Sequence, residues 1–147
     1  MLKRKVRDLI NLFHTLRNEA TSTLRNDDKS LFEVETIKAK VEVYCDLQIQ
    51  LCELYMVMPC RSQSKRLFNL ASDWCHQQAT LEVSAEQHFD KSNICKRYNY
   101  TPDDIQEELL GTVDAAKASV YAYAAKKLLE LYQTTFAGKR NSNINIW

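Results

Sequence analysis

Apolar residues recur along this chain at intervals of three and four positions, the spacing that places side chains on one face of an α-helix. The first such stretch covers about residues 2–25 and carries a narrow apolar seam through Leu2, Val6, Leu9, Phe13 and Leu16. Polar and charged residues fill most of the remaining positions. The pattern therefore predicts an amphipathic helix that buries one side.

A second stretch, over residues 30–58, has clear signals at both ends. Ser30 and Glu33 have the spacing of a capping box, and Pro59 cannot continue the helix. Its second half is apolar nearly all round, so we expect this part to be either the most buried in the fold or an interface between molecules. The predicted core seam consists of Val34, Ile37, Val41, Tyr44, Gln48, Leu51, Tyr55 and Met58.

Two further helices are predicted over residues 62–89 and 102–137, separated by a polar break at residues 90–100. Thr101, Pro102 and the two acids that follow give the last helix a strong start signal. Several alanines make this helix slim, which lets its neighbours approach closely. Gly111 predicts a kink or a close contact, because glycine costs about 1 kcal/mol relative to alanine inside a helix.

Together these elements predict an all-α protein, an antiparallel four-helix bundle with a long C-terminal helix. The composition agrees, since only 2 glycines and 2 prolines occur among 147 residues, too few for turn-rich β folds or for a glycine-rich phosphate-binding loop. We expect one domain over residues 1–138 and a short polar, extended tail over residues 139–147. Small size, unusual composition and the lack of motifs suit a phage, viral or mobile-element protein.

The charges and cysteines bear on compartment and partners. The net charge is +1, and successive segments alternate in sign, as neighbouring helices with complementary faces do. Five cysteines, an odd number without a CxxC pair, indicate free thiols in a reducing, intracellular and cytoplasmic setting. No apolar run is long enough for a membrane helix and no signal peptide is recognisable, so we expect no membrane partner.

Candidate chemistry is sparse. A two-metal site in a bundle needs Glu-x-x-His on two helices, and the nearest match is a single Asp73-x-x-His76. Zinc could be held by Cys45, Cys52, Cys75 and His76, but buried thiols explain these cysteines more simply. We therefore expect no cofactor and no metal. A small metal-dependent helical enzyme is the least favoured of the functional hypotheses.

Gln48 and Gln78 each interrupt an otherwise apolar stripe. Because a buried amide needs hydrogen-bond partners, we expect the two to bond each other and to fix the register of their helices. The alternative is a ligand cavity that they line together with Tyr44.

The favoured function is therefore protein–protein interaction by a non-catalytic bundle, acting as an adaptor, regulator or assembly factor and self-associating as a homodimer. The predicted contact residues are Val43, Leu47, Leu54 and Val57 in the second helix and Ile144, Ile146 and Trp147 in the tail, which could add to a partner as an extended peptide. The alternative is a nucleic-acid-associated protein whose basic first helix contacts phosphates through Lys3, Arg4, Lys5 and Arg7. The nearly balanced overall charge counts against this alternative.

Overall fold

The computed structural model describes residues 2–26, 28–98 and 103–137, which form four α-helices packed against one another. They are α1 (Leu2–Leu24), α2 (Leu31–Met56), α3 (Gln63–Arg97) and α4 (Asp103–Tyr132), and a π-helical turn over Gln133–Ala137 extends α4. No strand occurs among the described residues. The predicted all-α four-helix bundle is confirmed.

The bundle is built from two helical hairpins, α1 with α2 and α3 with α4, which meet mainly where α2 lies against α4. These two helices run in the same direction, since each is the returning member of its hairpin. Small buried side chains on α4 let its neighbours approach, among them Ala116, Ala118, Ala124 and Ala125. The slim helix predicted from the alanine run therefore lies in contact with both α3 and α2.

The core fills the space where the two hairpins overlap. Its largest fully buried side chains are Phe13, Leu47, Leu51, Leu67, Trp74 and Leu128. The Trp74 indole nitrogen donates a hydrogen bond of 2.8 Å to the Gln50 side-chain oxygen, so the one polar atom of this ring is satisfied. This bond also ties α3 to α2.

The start of α2 follows the predicted cap. The Ser30 hydroxyl accepts a hydrogen bond of 3.3 Å from the Glu33 amide, as a capping box requires. The helix ends at Met56, slightly before the predicted end at residue 58, and the amides of Val57 and Met58 donate hydrogen bonds of 3.3 and 3.2 Å to the carbonyls of Leu54 and Tyr55.

The main difference from the prediction lies in α3, which does not end near residue 89 but continues to Arg97. This makes α3, with 35 residues, longer than α4, with 30. The segment predicted as a polar break is helical because its polar residues bond α4. Ser92, only 1% exposed, donates a hydrogen bond of 2.9 Å to the Asp104 carbonyl oxygen. Thr101 and Pro102 of the predicted helix start lie outside the described residues.

Gly111 makes the close contact that its position predicts. It is buried in α4 beneath the Phe89 ring, and a Cβ built on Gly111 would lie 2.9 Å from the nearest ring carbon. Glycine at this position lets the two helices approach with an aromatic ring between them.

The buried face of α2 matches the predicted seam only at Leu51 and Met58. Its buried side chains form a core stripe of Ala39, Val43, Leu47, Leu51, Leu54 and, just beyond the helix, Met58. Three members of the predicted seam, Tyr44, Gln48 and Tyr55, are only half-buried, on the side of α2 that faces α1. The sequence of an apolar helix with neighbours on two sides does not show which face lies in the core. Periodicity alone therefore predicts a seam that is rotated towards α1 relative to the buried face.

Candidate interaction surface

A second apolar stripe follows α2 along its solvent side. It consists of Cys45, Ile49, Cys52 and Met56, spaced four, three and four residues apart, and we call it the surface stripe. Ile49 is 57% exposed and Met56 is 80% exposed, whereas Cys52 is exposed and Cys45 half-buried. The stripe borders a groove of about 490 Å³ between α1 and α2. Its exposed apolar area lacks a covering neighbour within the described chain.

Three of the contact residues predicted from the sequence lie elsewhere. Val43, Leu47 and Leu54 are 3%, 0% and 6% exposed, so they belong to the core and cannot contact a partner of the folded protein. This corrects the prediction, because the face that was assigned to a partner is the face that packs inside the bundle. Val57 remains at the surface, at 42% exposure. The tail candidates Ile144, Ile146 and Trp147 lie outside the described residues.

The surface stripe has margins of opposite charge. On the α1 side, Arg17 places a guanidinium nitrogen 3.8 Å from the Cys45 sulfur and another 2.9 Å from His14 Nδ1. On the other side lie two exposed acids, Asp46 and Glu53, which flank Gln50, the hydrogen-bond partner of Trp74 on α3. A third acid, Glu42, is 3.9 Å from Lys117 Nζ on α4 and lies seven residues before Ile49, so it continues the stripe itself towards the N-terminus of α2. We call the two sides the Arg17 margin and the acidic margin.

The predicted Gln48–Gln78 pair is not formed. Gln48 donates a hydrogen bond of 3.5 Å from Nε2 to the Ile10 carbonyl oxygen on α1, and Gln78 donates one of 3.0 Å to Glu82 within its own helix. The two amides therefore serve different contacts and line different grooves, Gln48 between α1 and α2 and Gln78 between α3 and α4. The Gln48 Oε1 atom is buried without a hydrogen-bond partner in the described chain.

The four basic residues of the nucleic-acid alternative do not all lie on one side of α1. Lys3 lies over the Tyr55 ring, 4.7 Å from its centroid, where it joins α1 to α2. Arg4 and Arg7 are exposed and Lys5 is half-buried. Lys3 and Arg4 lie one turn before Arg7, at spacings of four and three residues, whereas Lys5 points to another side of the helix. A phosphate backbone could contact only some of them at once.

Sequence reasoning missed a polar cluster between α3 and α4. His88 Nδ1 is 2.6 Å from Glu107 Oε2, and His88 Nε2 is 3.7 Å from Asp114 Oδ2. Ser84 donates a hydrogen bond of 2.5 Å to the same Asp114 oxygen. The sequence gives no signal for this cluster, because the partners of His88 lie on another helix, where no spacing along the chain reveals them.

The pattern of hydrogen bonds in this cluster indicates a structural role. A nucleophilic serine needs a base that takes its proton, but Ser84 bonds Asp114 and not the imidazole. The His88, Glu107 and Asp114 side chains are 23%, 25% and 19% exposed. They act as a hydrogen-bonded cross-link that joins α3 to α4 outside the main core.

Two tyrosines near the middle of the bundle have perturbed ionisation. Burial is the main cause that raises the pKa of Tyr44, followed by Tyr123 and the charge of Glu19. Burial also raises the pKa of Tyr121, and the negative charges of Asp46 and Glu42 add to the effect. Burial thus keeps both phenols in their neutral form to a higher pH than in a solvent-exposed tyrosine.

The described residues offer few other functional features. Nowhere in residues 2–26, 28–98 and 103–137 do three His, Cys, Asp or Glu side chains group so that they could hold a metal ion. None of the helices in these ranges combines the length and the apolar character needed to cross a bilayer. No family model matches the chain, and no curated protein or solved structure matches it either. The surface stripe and its charged margins are therefore the main candidate site of the described residues.

Proposed function

We propose that this protein acts through protein–protein contact, as a non-catalytic helical bundle that self-associates through the surface stripe of α2. The observation that carries the proposal is the exposure of Ile49 and Met56, at 57% and 80%, beside Cys52 on one helical face. Burial of a large apolar side chain contributes about 1.5–3 kcal/mol. A micromolar dissociation constant corresponds to a binding free energy of about 8 kcal/mol, and a partner that covers both residues gains a substantial part of it.

A second copy of the chain is the occupant that this surface favours. In a two-fold dimer the same patch meets itself, so the patch must be self-complementary. The stripe satisfies this condition, because apolar side chains pair with apolar side chains and its two margins carry opposite charge. The contact covers only about two heptads, so we expect its buried area to lie near the lower limit of about 1,000 Å² for specific interfaces. A dimer with micromolar affinity is the expected result.

The test is a measurement of mass in solution at increasing protein concentration, by light scattering or sedimentation velocity in reducing buffer. The wild type should shift from monomer to dimer across the micromolar range. The double variant Ile49→Glu/Met56→Glu should stay monomeric, because it places charges on the stripe. The matched control is Val83→Glu, since Val83 is 55% exposed on α3 and lies outside the stripe.

Far-UV circular dichroism should show the same helix content for all three proteins. A wild type that stays monomeric throughout this range overturns the proposal. A stripe variant that dimerises as strongly as the Val83 control overturns it as well.

A further inference from the structure

We infer that two copies pair through α2 with the two helices parallel, related by a two-fold axis that runs along them. This inference rests on the proposed self-association and adds the orientation of the pair. The four residues of the surface stripe have the spacing of alternating d and a positions in a heptad, with Cys45 and Cys52 at d and Ile49 and Met56 at a. The core stripe then occupies other heptad positions, so α2 can pack inside its own bundle and against a second copy simultaneously.

The charged margins decide the orientation. Asp46 and Glu53 both occupy the e position, on the side of the stripe away from α1. Neither forms an ion pair within the described part of the chain. Arg17 stands on the opposite side, where the g residues of α2 face α1. Each copy therefore presents acids on one flank of the stripe and a guanidinium on the other.

A two-fold axis along the helices exchanges these flanks. It places the Arg17 margin of one copy opposite the acidic margin of the other, so that Arg17 faces Asp46 of the partner subunit on both sides of the contact. Opposite charges at the edges of a helical seam favour this pairing and fix its register.

An antiparallel pair places the acidic margin of one copy beside the acidic margin of the other, and the two Arg17 margins beside each other. With Ile49 packed against Cys52 of the partner subunit, Asp46 comes to lie beside Glu53 of the partner subunit, and the two-fold axis repeats this contact. Two juxtapositions of like charge oppose that arrangement. The parallel pair has one like-charge contact, between Glu42 and Glu42 of the partner subunit one heptad before Ile49, but Lys117 Nζ lies 3.9 Å from this carboxylate. The same apolar residues are buried in both orientations, so the balance of charge contacts favours the parallel pair.

Disulfide formation between single thiols distinguishes the orientations. In the antiparallel pair, position 52 lies about 4–5 Å along the axis from its symmetry mate, and position 56 lies about 16 Å from its own, at about 1.5 Å of rise per residue. In the parallel pair both positions face their mates directly. A disulfide requires Cα atoms within about 7 Å, so only the parallel pair can link position 56 to itself.

The experiment uses three full-length proteins, each with one thiol and the other cysteines replaced by alanine or serine. The first keeps Cys52, the second carries Met56→Cys, and the third keeps Cys75, exposed on α3, as the measure of random collision. Diamide is the oxidant. Two thiols lose two electrons and two protons to its N=N bond, forming one disulfide and the corresponding hydrazine. Non-reducing electrophoresis follows the covalent dimer with time.

We expect the proteins with thiols at 52 and 56 both to cross-link at least tenfold faster than the Cys75 protein. Fast linkage at 52 with linkage at 56 no faster than at Cys75 overturns the parallel orientation but leaves self-association through the stripe intact. Slow linkage at both positions, with a monomeric mass in reducing buffer, overturns the proposed function itself. Circular dichroism of the reduced proteins establishes that each one is folded.

Discussion

Replacement of Gly111 by alanine tests how tightly α3 and α4 pack. Inside a helix, alanine is more favourable than glycine by about 1 kcal/mol, so the substitution on its own should stabilise α4. At this position the new methyl group would lie 2.9, 3.0 and 3.1 Å from three carbons of the Phe89 ring. These distances are well short of the roughly 3.5–4.0 Å at which carbon atoms attract each other.

The Phe89 ring must therefore move. Overpacking of this kind costs about 1–3 kcal/mol, and the ring has some freedom because Phe89 is 36% exposed. Set against the helical gain of about 1 kcal/mol, the net expectation for Gly111→Ala is a loss of about 0–2 kcal/mol in the free energy of unfolding. When Phe89→Ala removes the ring, the same substitution should stabilise by about 1 kcal/mol.

Urea denaturation followed by far-UV circular dichroism on the four proteins of this double-mutant cycle measures the coupling between the two positions. We expect a coupling energy of about 1–3 kcal/mol, with Gly111→Ala less favourable when the ring is present. A gain of equal size with and without the ring would refute the reasoning. Glycine at position 111 would then have no packing role.

Three further predictions follow from other contacts. His88→Ala should lower the free energy of unfolding by about 1–3 kcal/mol in urea denaturation, because Glu107 and Asp114 lose their shared partner. The control His76→Ala, at an exposed position on the same helix, should change the free energy of unfolding little. Raising the pH above the ordinary tyrosine pKa of 10.0 should destabilise the protein. In the unfolded chain the phenols release their protons there, whereas Tyr44 and Tyr121 retain theirs in the folded protein. The stability that is present below pH 10 is therefore lost as the pH rises through the raised pKa values. The Tyr44→Phe/Tyr121→Phe variant should show a smaller loss in urea midpoints measured on both sides of pH 10, and equal losses would contradict the assignment. Asp46→Lys should weaken the dimer measured by sedimentation if Arg17 faces it, whereas a strengthened dimer would indicate the antiparallel pair.

The helices could be predicted because each has a local signal. Residues 2–24 show a clear apolar seam, Ser30 caps α2 as its spacing indicates, and the contact at Gly111 follows from the low helix propensity of glycine. The last turns of α3 could not be predicted in this way. Ser92 is buried by a hydrogen bond to Asp104, and a polar side chain in such a contact leaves no mark on a hydrophobic pattern.

The candidate surface shows a different limit of sequence reasoning. The sequence shows that the second half of α2 is apolar nearly all round, and this correctly indicates that it has more apolar area than one core face needs. It does not show which residues face inward. That depends on the directions from which α1 and α4 approach, so Leu47 and Leu54 were expected at an interface and lie in the core. The His88 cluster was missed for the same reason, since its partners come from another helix.

The charged margins also bear on how many copies can associate. An exposed apolar stripe alone could recruit copy after copy, because nothing in it specifies where association stops. A parallel two-fold pair covers the surface stripe of both copies and engages the Arg17 and acidic margins of each, so the contact is closed and leaves no equivalent surface free. The mass should therefore reach a plateau at twice the 17.1 kDa of one chain. Continued growth beyond that value would mean that the stripe binds a different surface of the next copy, and the two-fold arrangement would be wrong.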